Sequence, residues 1–451
     1  MIAPEEYLAS LLRRMMPLQP KRLPLREARG LIAAEDVTAL LDVPAFSNSA
    51  MDGFAVSSTV VNAVEPDPNG VRWMPVVGDI PAGAQTPLAF DTTAAARIMT
   101  GAPMPDGADA VVKVEDTTIE PGPHPLPTRV GLRVSEVEAG ANVRHRGEDT
   151  RVGHTVLRRG MRVGAPALGA LVSTGHTEVT VYPRPRIIVI TTGDELRDPG
   201  EGVGYGQIPD SNTITLVGLL DELGADVIDT LRASDNGDDF THLLTRAIGE
   251  ADAVITTGGV SAGAFDVVKA VGGRDFGMEF HRVAMQPGKP QGFGLATNSS
   301  GREVPIFALP GNPVSVVVSF TLFVAPCLRL LMGWDADTTT PPRQLSEERS
   351  ALLGRWSTMR TVDAWASPGG KTQFVPVVIG EYEGQWRCSL IHPLGSKSHL
   401  AAALAQGNGI AVIPAECAAV RKGDEVSVLH ALNPTRGTRR DDLERTENSD
   451  E

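Results

Sequence analysis

Three apolar runs in the second half of the chain have the pattern of buried parallel strands. Arg186–Thr192, Ala253–Thr257 and Val304–Leu309 are almost continuously apolar, as strands become when helices cover both faces of a parallel sheet. Helical patterns separate these runs, and one apolar helix face consists of Ile214, Val217, Leu220 and Leu223. The alternation predicts a central, doubly wound α/β domain over residues 185–333.

The rest of the chain has shorter and less regular patterns. Apolar residues at helical spacing, ended by Pro17, predict a helix over residues 3–17. Glycine, proline and short apolar runs predict a β-rich domain, and the polar C-terminus resembles segments too poor in apolar residues to fold. The predicted domains are residues 1–40 with 141–184, residues 41–140, residues 185–333, an all-β, barrel-like domain at 344–432, and a disordered tail at 433–451.

Composition narrows the class of protein. A length of 451 residues suggests about three domains, and 42% hydrophobic residues suffice for real cores. The net charge is −14 and no basic stripe is present, which argues against nucleic acid as a partner. The three cysteines form no CxxC pair and the nine histidines no HxH or HExxH motif. These counts argue against disulfides and a thiolate or histidine metal site, and Cys327 and Cys388 are predicted to be buried.

A signal peptide or a membrane span in the sequence would indicate the protein's cellular location. The N-terminus carries Glu5 and Glu6 and no apolar core, so no signal peptide is predicted. The most apolar stretch, Val314–Met332, contains hydroxyl residues, Pro326 and Arg329. It is therefore predicted to be a buried helix rather than a membrane span. A cytoplasmic protein without a membrane partner is expected.

A polar loop containing glycine follows each predicted strand of the α/β domain. The loops are Gly193-Asp194-Glu195, Gly258-Gly259-Val260-Ser261 with Asp266 just beyond, and Pro310-Gly311-Asn312-Pro313-Val314-Ser315. Because the carboxyl ends of parallel strands lie at one edge of a sheet, the loops should meet in one pocket. Their composition favours a ligand that bears phosphate.

Each loop also has a structural interpretation. Asp194 suits a turn, whereas Glu195 has no evident capping role and can position magnesium or act as a base on water. The pair Gly258 and Gly259 allows close approach to a phosphate but also suits an ordinary tight turn. Asp266 is either a plain helix residue or a contact to metal or ligand.

Two loops favour anions more directly. Lys289 lies in Pro287-Gly288-Lys289-Pro290, where two prolines restrict the backbone, so anion binding is favoured over a plain surface lysine. Asn312 suits the cap of the last helix and Pro313 its first turn, either as a structural turn or as an anion site. Ser211 or Asn212 is predicted to cap an earlier helix.

Two segments outside the α/β domain have unusual composition. Residues 44–56 form a stretch of small and polar residues that contains Asp52-Gly53, and residues 98–105 contain Thr100-Gly101. Both are compatible with turns between strands, and physical reasoning alone makes neither catalytic.

The order of these segments resembles that of a known family. The motifs are PAFSNSAMDGFAV, IMTGAPMPDGADAVV, RGED, VITTGDEL, DSN, ITTGGVSAGAFD, PGKP and LPGNPVS, in this order between residues 44 and 315. Together they closely resemble the molybdopterin molybdenumtransferase family, MoeA, and the E domain of gephyrin. The resemblance covers nearly the whole chain, and the combination is far more specific than any single motif.

The resemblance implies an activity and its partners. The family has an L-shaped, four-subdomain subunit that works as a homodimer, so a homodimer is expected. It inserts molybdate into the dithiolene of adenylylated molybdopterin and releases AMP, assisted by Mg²⁺ or a similar ion. The expected partners are adenylylated molybdopterin, molybdate, a second copy of the chain and the molybdopterin adenylyltransferase.

The resemblance also implies residue roles. Asp52, Asp149, Glu195 and Asp266 match catalytic residues, and Glu195 and Asp266 are also the expected metal ligands. Asp52, Thr100 and Asp149 are expected to reach the cleft from the β-rich domains across a dimer interface. The expected substrate-binding residues are Thr100, Gly101, Thr192, Gly193, Ser211, Gly258, Gly259, Val260, Ser261, Lys289, Pro290, Pro310, Gly311, Asn312, Ser315, Arg360 and Ser398.

The chain departs from the family pattern in three places. Gln286 stands where the family often has the first lysine of Lys-Pro-Gly-Lys-Pro, so one positive charge is missing unless a neighbour compensates for it. The pocket arginine and serine of the last family domain have Arg360 and Ser398, or Ser396, as candidates in a divergent local sequence. Residues 117–129, with four prolines, look like an insertion.

Two other functions remain open at this point. A molybdopterin adenylyltransferase shares the α/β fold and a glycine loop, but it is normally a small single domain and leaves residues 1–180 and 345–432 unexplained. A non-catalytic scaffold would keep the fold to bind a partner, although the retained Asp52, Glu195, Asp266 and Lys289 argue against lost catalysis. Tungstate is an alternative to molybdate because the two oxyanions are nearly alike in charge and size.

Overall fold

The computed structural model describes residues 1–260, 266–334 and 355–431. The chain divides into two compact units: an N-terminal unit, Arg22–Val181, and a main unit that combines Met1–Lys21 with Tyr182–Glu451. Ser261, the linker and the tail predicted near residues 338–343 and 433–451 lie outside the described residues.

Helix α1 (Pro4–Leu12) opens the chain and packs into the main unit. The ring of Tyr7 meets the edge of Phe323, with centroids 5.0 Å apart. The helix is shorter than the predicted 3–17, because the chain leaves helical hydrogen bonding after Arg13 and residues 14–15 continue in tighter turns.

The N-terminal unit is built mainly from short strands. A five-stranded sheet in the order β8-β5-β7-β6-β9 covers a core that includes Phe54, Met74 and Val112. The strands are β1 (Lys21–Pro24), β2 (Ile32–Ala33), β3 (Val37–Thr38), β4 (Asn48–Ser49), β5 (Gly53–Val56), β6 (Arg72–Ile80), β7 (Ala95–Ile98), β8 (Ala110–Lys113), β9 (Arg129–Leu132), β10 (Val143–Arg144), β11 (Thr155–Leu157) and β12 (Glu178–Tyr182), with helices α2 (Ser58–Ala63) and α3 (Ala165–Ser173).

The α/β part of the main unit contains a six-stranded sheet in the order β16-β13-β17-β21-β20-β18. Its strands, with the short β14, β15 and β19, are β13 (Arg186–Thr192), β14 (Leu196–Arg197), β15 (Ile208–Pro209), β16 (Asp226–Ala233), β17 (Ala253–Thr257), β18 (Glu279–Arg282), β19 (Met285–Gln286), β20 (Pro290–Thr297) and β21 (Glu303–Leu309). Its helices are α4 (Ser211–Leu223), α5 (Gly237–Glu250), α6 (Val267–Asp275), α7 (Pro313–Ser319) and α8 (Ala325–Leu331).

The predicted strands β13, β17 and β21 lie side by side and parallel at the centre of this sheet. Alternate residues of β13 enter different cores: Ile187 packs with helix α4, and Ile188 packs with helices α5 and α6. Burial on both faces explains the continuous apolar runs. Strands β20 and β18 are antiparallel and make the sheet mixed, a feature that the apolar pattern alone did not predict.

The helix caps differ in detail from the predictions. Asp210, not Ser211 or Asn212, caps α4, and its Oδ1 accepts a hydrogen bond of 3.0 Å from the Thr213 backbone N–H. Asn312 does occupy the cap position of α7, but its side chain makes no capping hydrogen bond. Its backbone carbonyl instead accepts from Val316.

Pro313–Leu331 is one continuous helical stretch that includes a π segment, Phe320–Val324. It is long and apolar enough to cross a membrane, yet 89% of its most apolar stretch is buried inside the protein. The stretch is therefore a core helix, as predicted.

The C-terminal part of the main unit closes into a barrel. Strand β24 pairs with both β25 and β26, and the cycle is completed through β22 and β28. The strands are β22 (Arg355–Thr361), β23 (Trp365–Ala366), β24 (Thr372–Tyr382), β25 (Gln385–Leu390), β26 (Gly409–Ile413), β27 (Ala419–Val420) and β28 (Glu425–His430). Cys388 is fully buried here, and Cys327 in the core helix, as predicted. Burial raises the pKa of the Cys388 thiol to about 11.

Candidate active site

The carboxyl ends of β13, β17 and β21 open onto a cleft of about 920 Å³ that lies within the main unit. This volume suits a ligand of nucleotide size. The cleft confirms that the three loops meet at one edge. The predicted residues that line it are Thr192, Gly193, Glu195, Ser211, Gly258, Gly259, Val260, Asp266, Lys289, Pro290, Pro310, Gly311, Asn312, Ser315, Ser396 and Ser398.

Glycine is required where the first two loops approach each other. Gly258 and Gly259 have φ of +95° and +63°, a region that L side chains rarely adopt. A Cβ on Gly258 would lie 2.6 Å from the backbone oxygen of Thr192 and 2.7 Å from its Oγ1. The turn after β17 therefore lies directly against the end of β13.

Glu195 lies against a glycine as well. Gly193 has φ of +145°, and a Cβ there would be 2.5 Å from Glu195 Oε2. The bare backbone of Gly193 thus makes room for the Glu195 carboxylate in the cleft wall. Asp194 has a structural role, because its Oδ1 accepts a hydrogen bond of 3.3 Å from the Asp235 backbone.

A polar network connects the strand ends that line the cleft. Asp210 Oδ2 accepts hydrogen bonds from the hydroxyls of Thr191 at 3.0 Å and Thr213 at 2.6 Å. Asn212 Nδ2 donates to the Gly311 carbonyl at 2.6 Å, and Thr257 Oγ1 donates to the Pro310 carbonyl at 3.1 Å. These bonds tie α4, β13, β17 and the loop after β21 into one frame.

The buried side chain of Gln291 stabilises the turn that carries Lys289. Gln291, which is 2% exposed, donates from Nε2 to the Gly288 carbonyl at 2.6 Å and to Ser319 Oγ at 2.7 Å. The positive charge of Arg282, together with partial burial and Lys371, lowers the pKa of the Lys289 ammonium. A cluster of like charges of this kind attracts anions.

The barrel completes the cleft beside this turn. Gln286 on β19 pairs in parallel with Gln373 on β24. Gln373 Nε2 donates to the buried Ser396 Oγ at 2.8 Å, and the Val314 N–H at the start of α7 donates to the Ser398 carbonyl at 3.1 Å. Both candidate serines of the barrel therefore lie at the cleft.

Arg360 does not line the cleft among the described residues. It lies within β22 in register with Glu425, and its Nε is 3.4 Å from the Glu425 carboxylate. The local sequence did not reveal this place in the barrel wall, and the predicted substrate-binding role of Arg360 stays a prediction.

The carboxylates of the cleft suit a hard cation. Glu195, Asp210, Asp235 and Asp266 line it. No group of three or more His, Cys, Asp or Glu side chains arranged to hold a metal occurs among residues 1–260, 266–334 and 355–431. Mg²⁺ is often bound by one or two carboxylates together with substrate phosphates, and this donor set fits that mode.

Sequence reasoning missed Asp235 and Lys397 as residues of the cleft. Asp235 follows β16, which is also a parallel strand of the sheet, so its place after a strand end was a usable signal. Lys397 lies in a barrel loop, and only the docking of the barrel onto the α/β part brings it to the cleft.

The remaining predicted residues belong to the N-terminal unit. Asp52 and Thr100 contact each other: Asp52 Oδ1 accepts from the Thr100 backbone N–H at 2.7 Å and from its Oγ1 at 2.8 Å. Gly101 turns the chain with φ of +79°. Asp149 is exposed, and its backbone N–H donates to the Val43 carbonyl at 2.9 Å.

Comparison with known families defines the class of protein. Residues 188–330 match the family model of a probable molybdopterin binding domain. Residues 2–175 match the MoeA N-terminal region, domains I and II, and residues 358–430 match the MoeA C-terminal region, domain IV. The fold and cleft thus belong to a molybdopterin-binding α/β protein with flanking β-rich regions.

Individual relatives narrow the class further. The chain is 40% identical to molybdopterin molybdenumtransferase 2 of Mycobacterium tuberculosis, over 92% of this chain and 96% of the relative. It is 33% identical to molybdopterin molybdenumtransferase 1 of the same organism, over 91% and 94%. The crystal structure of a molybdopterin biosynthesis MoeA protein from Pyrococcus horikoshii superposes with a TM-score of 0.75 at 26% identity, covering 95% of this chain and 98% of that one.

The chain belongs to the molybdopterin molybdenumtransferase family, a family of transferases in molybdenum cofactor biosynthesis. The resemblance predicted from the motifs is confirmed. Similarity to molybdopterin molybdenumtransferases over 92% and 91% of the chain does not favour a single-domain adenylyltransferase or a scaffold.

Proposed function

We propose that this chain inserts molybdate into adenylylated molybdopterin and releases AMP. The observation that carries the proposal is a single cleft in which carboxylates, glycine turns and a lysine meet. A substrate with a pterin, a phosphoanhydride and a bound oxyanion needs these three kinds of group together.

The lysine and the turns would bind the anions. Lys289 is placed to contact an oxyanion, and the turns at Gly193, Gly258 and Gly311 line the cleft, where backbone N–H groups would donate to a phosphate. Ser315 lines the cleft in the first turn of the core helix, where the helix dipole favours negative charge.

The carboxylates would promote cleavage of the phosphoanhydride, which releases AMP. Water attacks the phosphoanhydride, its proton passes to Glu195, and the bond between the two phosphates breaks to leave AMP and the molybdopterin phosphate. Glu195 and Asp266 are the proposed ligands of Mg²⁺, which would offset the phosphate charge when bound.

We further propose roles for residues of the N-terminal unit, an assembly state and a source of the substrate. Asp52, Thr100, Gly101 and Asp149 act in catalysis or substrate binding, and the protein works as a cytoplasmic homodimer that receives its substrate from the molybdopterin adenylyltransferase. The division of the chain into residues 1–40 with 141–184, 41–140, 185–333, 344–432 and a tail at 433–451 belongs to the same proposal.

AMP release from adenylylated molybdopterin tests the proposal. The purified protein should release AMP in the presence of molybdate and Mg²⁺, and release should fall when either is left out. Tungstate in place of molybdate measures the preference between the two oxyanions. Tight binding of the substrate without any release of AMP would refute the proposed activity.

A further inference from the structure

A second cationic residue, Lys397, lines the cleft on the barrel side. Of the described residues that line the cleft, Lys289 and Lys397 carry the only lysine or arginine side chains. They come from separate elements: Lys289 from the turn between β19 and β20, and Lys397 from the loop between β25 and β26. The two lysines that line the cleft therefore come from two parts of the main unit, the α/β part and the barrel.

The loop that carries Lys397 is anchored on both sides of this residue. Ser396 is 4% exposed and accepts a hydrogen bond from Gln373, and Ser398 accepts one from the Val314 backbone. The Lys397 side chain is exposed, but its backbone is thus fixed between the barrel and the start of the core helix. An anchored backbone lowers the entropy lost when the ammonium engages a ligand.

The loop that carries Lys397 is connected to the strand that carries Gln286. Gln286 lines the cleft and pairs with Gln373, the same residue that holds Ser396. Gln373 therefore connects the segment that carries the neutral Gln286 to the segment that carries Lys397. Gln286 and Lys397 both line the cleft.

We infer that Lys397 is a substrate-binding residue that, together with Lys289, binds the tetrahedral oxyanion in the cleft. The inference rests on the proposed function and adds a residue and a charge to it. Among the described residues that line the cleft, these two ammonium groups from separate elements match an oxyanion of charge −2, while Arg282 and Lys371 act on Lys289 from outside that lining.

Direct binding of molybdate to the full chain tests the inference. Equilibrium dialysis with metal analysis should give about fivefold weaker binding for Lys397→Gln, as expected for an exposed charge pair. Lys397→Arg should keep the affinity, and Lys422→Gln, at an exposed lysine that does not line the cleft, should leave it unchanged. Added salt should weaken binding to the wild type more than to Lys397→Gln.

Restoring the charge on the neighbouring segment is a sharper test. Lys397→Gln should raise the KM for molybdate in AMP release and leave kcat nearly unchanged, since the ammonium binds the oxyanion without taking part in proton transfer. The double variant Gln286→Lys with Lys397→Gln should recover most of the lost affinity. A purely structural role for Lys397 would instead lower kcat and would not be rescued by a lysine at 286.

The outcomes separate the inference from the proposed function. Molybdate-dependent AMP release by the wild type, with unchanged molybdate affinity and KM in Lys397→Gln, would overturn the role of Lys397 alone. Absence of AMP release from the wild type would overturn the proposed function and this inference with it.

Discussion

Asp52 and Thr100 are joined by two hydrogen bonds to one carboxylate oxygen, from the Thr100 backbone N–H at 2.7 Å and from its hydroxyl at 2.8 Å. They come from two motifs that are 48 residues apart in the chain. The backbone bond, followed by the hydroxyl bond, lowers the pKa of the Asp52 carboxyl. The pair forms an ionised, oriented acid on the surface of the N-terminal unit.

Thr100→Val should raise the pKa of Asp52. The variant removes the hydroxyl bond and keeps the backbone bond, so the pKa should move toward its ordinary value of 3.8. Because the native pKa is depressed, the pair stabilises the fold above that ordinary value, and this contribution is lost as the pH falls through the lowered pKa. NMR titration of ¹³C-labelled aspartate, with Asp52→Asn for assignment, measures the shift in the Asp52 pKa.

Thr100→Ser is the control and should behave as the wild type, because serine keeps the hydroxyl group. An unchanged Asp52 pKa in Thr100→Val would show that the hydroxyl bond does not act on Asp52.

Glu195→Gln should leave folding intact and slow AMP release. The carboxamide fits the space beside Gly193 but accepts a proton far less readily than a carboxylate. General-base catalysis contributes about 10²–10⁴-fold, so the loss should appear mainly in kcat. Glu222→Gln, at an exposed helix position that does not line the cleft, is the matched control. Full activity of Glu195→Gln would remove Glu195 from the mechanism.

Gly258→Ala should destabilise the main unit and abolish tight substrate binding. The methyl group would meet the Thr192 carbonyl at 2.6 Å, and the backbone has a positive φ, which together should cost at least about 2 kcal/mol. Gly218→Ala is the control, because a Cβ on this helical glycine meets nothing within 4 Å. Calorimetry should show a lower Tm for Gly258→Ala and a slightly higher Tm for Gly218→Ala, which gains about 0.5–1 kcal/mol. Equal Tm values would contradict the close approach of the two loops.

Molybdate affinity should fall as the pH rises, at values below the ordinary lysine pKa of 10.5. Arg282, with burial and Lys371, lowers the pKa of Lys289, so this side chain loses its charge earlier than a solvated lysine. Only the charged form attracts the oxyanion, and affinity therefore decreases through that pKa. Arg282→Gln should move the decrease to higher pH. Dialysis across the alkaline range measures it, and a decrease that does not move in Arg282→Gln would assign the titration to another group.

The centre of the main unit is predictable from the sequence for a physical reason. Strands buried on both faces must be apolar throughout, so β13, β17 and β21 are evident in the chain, and the geometry of a parallel sheet places their loops together. Polar residues that directly follow such strands, such as Glu195, are therefore candidates for the site on sequence grounds alone.

Features that depend on docking between distant segments could not be predicted from the sequence. Strand β19 joins the α/β part to the barrel through Gln286 and Gln373, which are 87 positions apart (373 − 286), and no periodicity signals this pairing. Lys397 was missed because its loop reaches the cleft only through that docking. Arg360 was the candidate for the pocket arginine that the family resemblance implies, and the divergent local sequence could not show its ion pair with Glu425.

Molybdenum bound to the pterin after the reaction tests the central claim most directly. Adenylylated molybdopterin is incubated with the protein, molybdate and Mg²⁺, the pterin product is isolated, and its molybdenum and the released AMP are measured together. The account predicts one molybdenum per pterin and one AMP per molybdenum, with neither product in Glu195→Gln at matched times. AMP released without molybdenum on the pterin would show hydrolysis without insertion and would contradict the account.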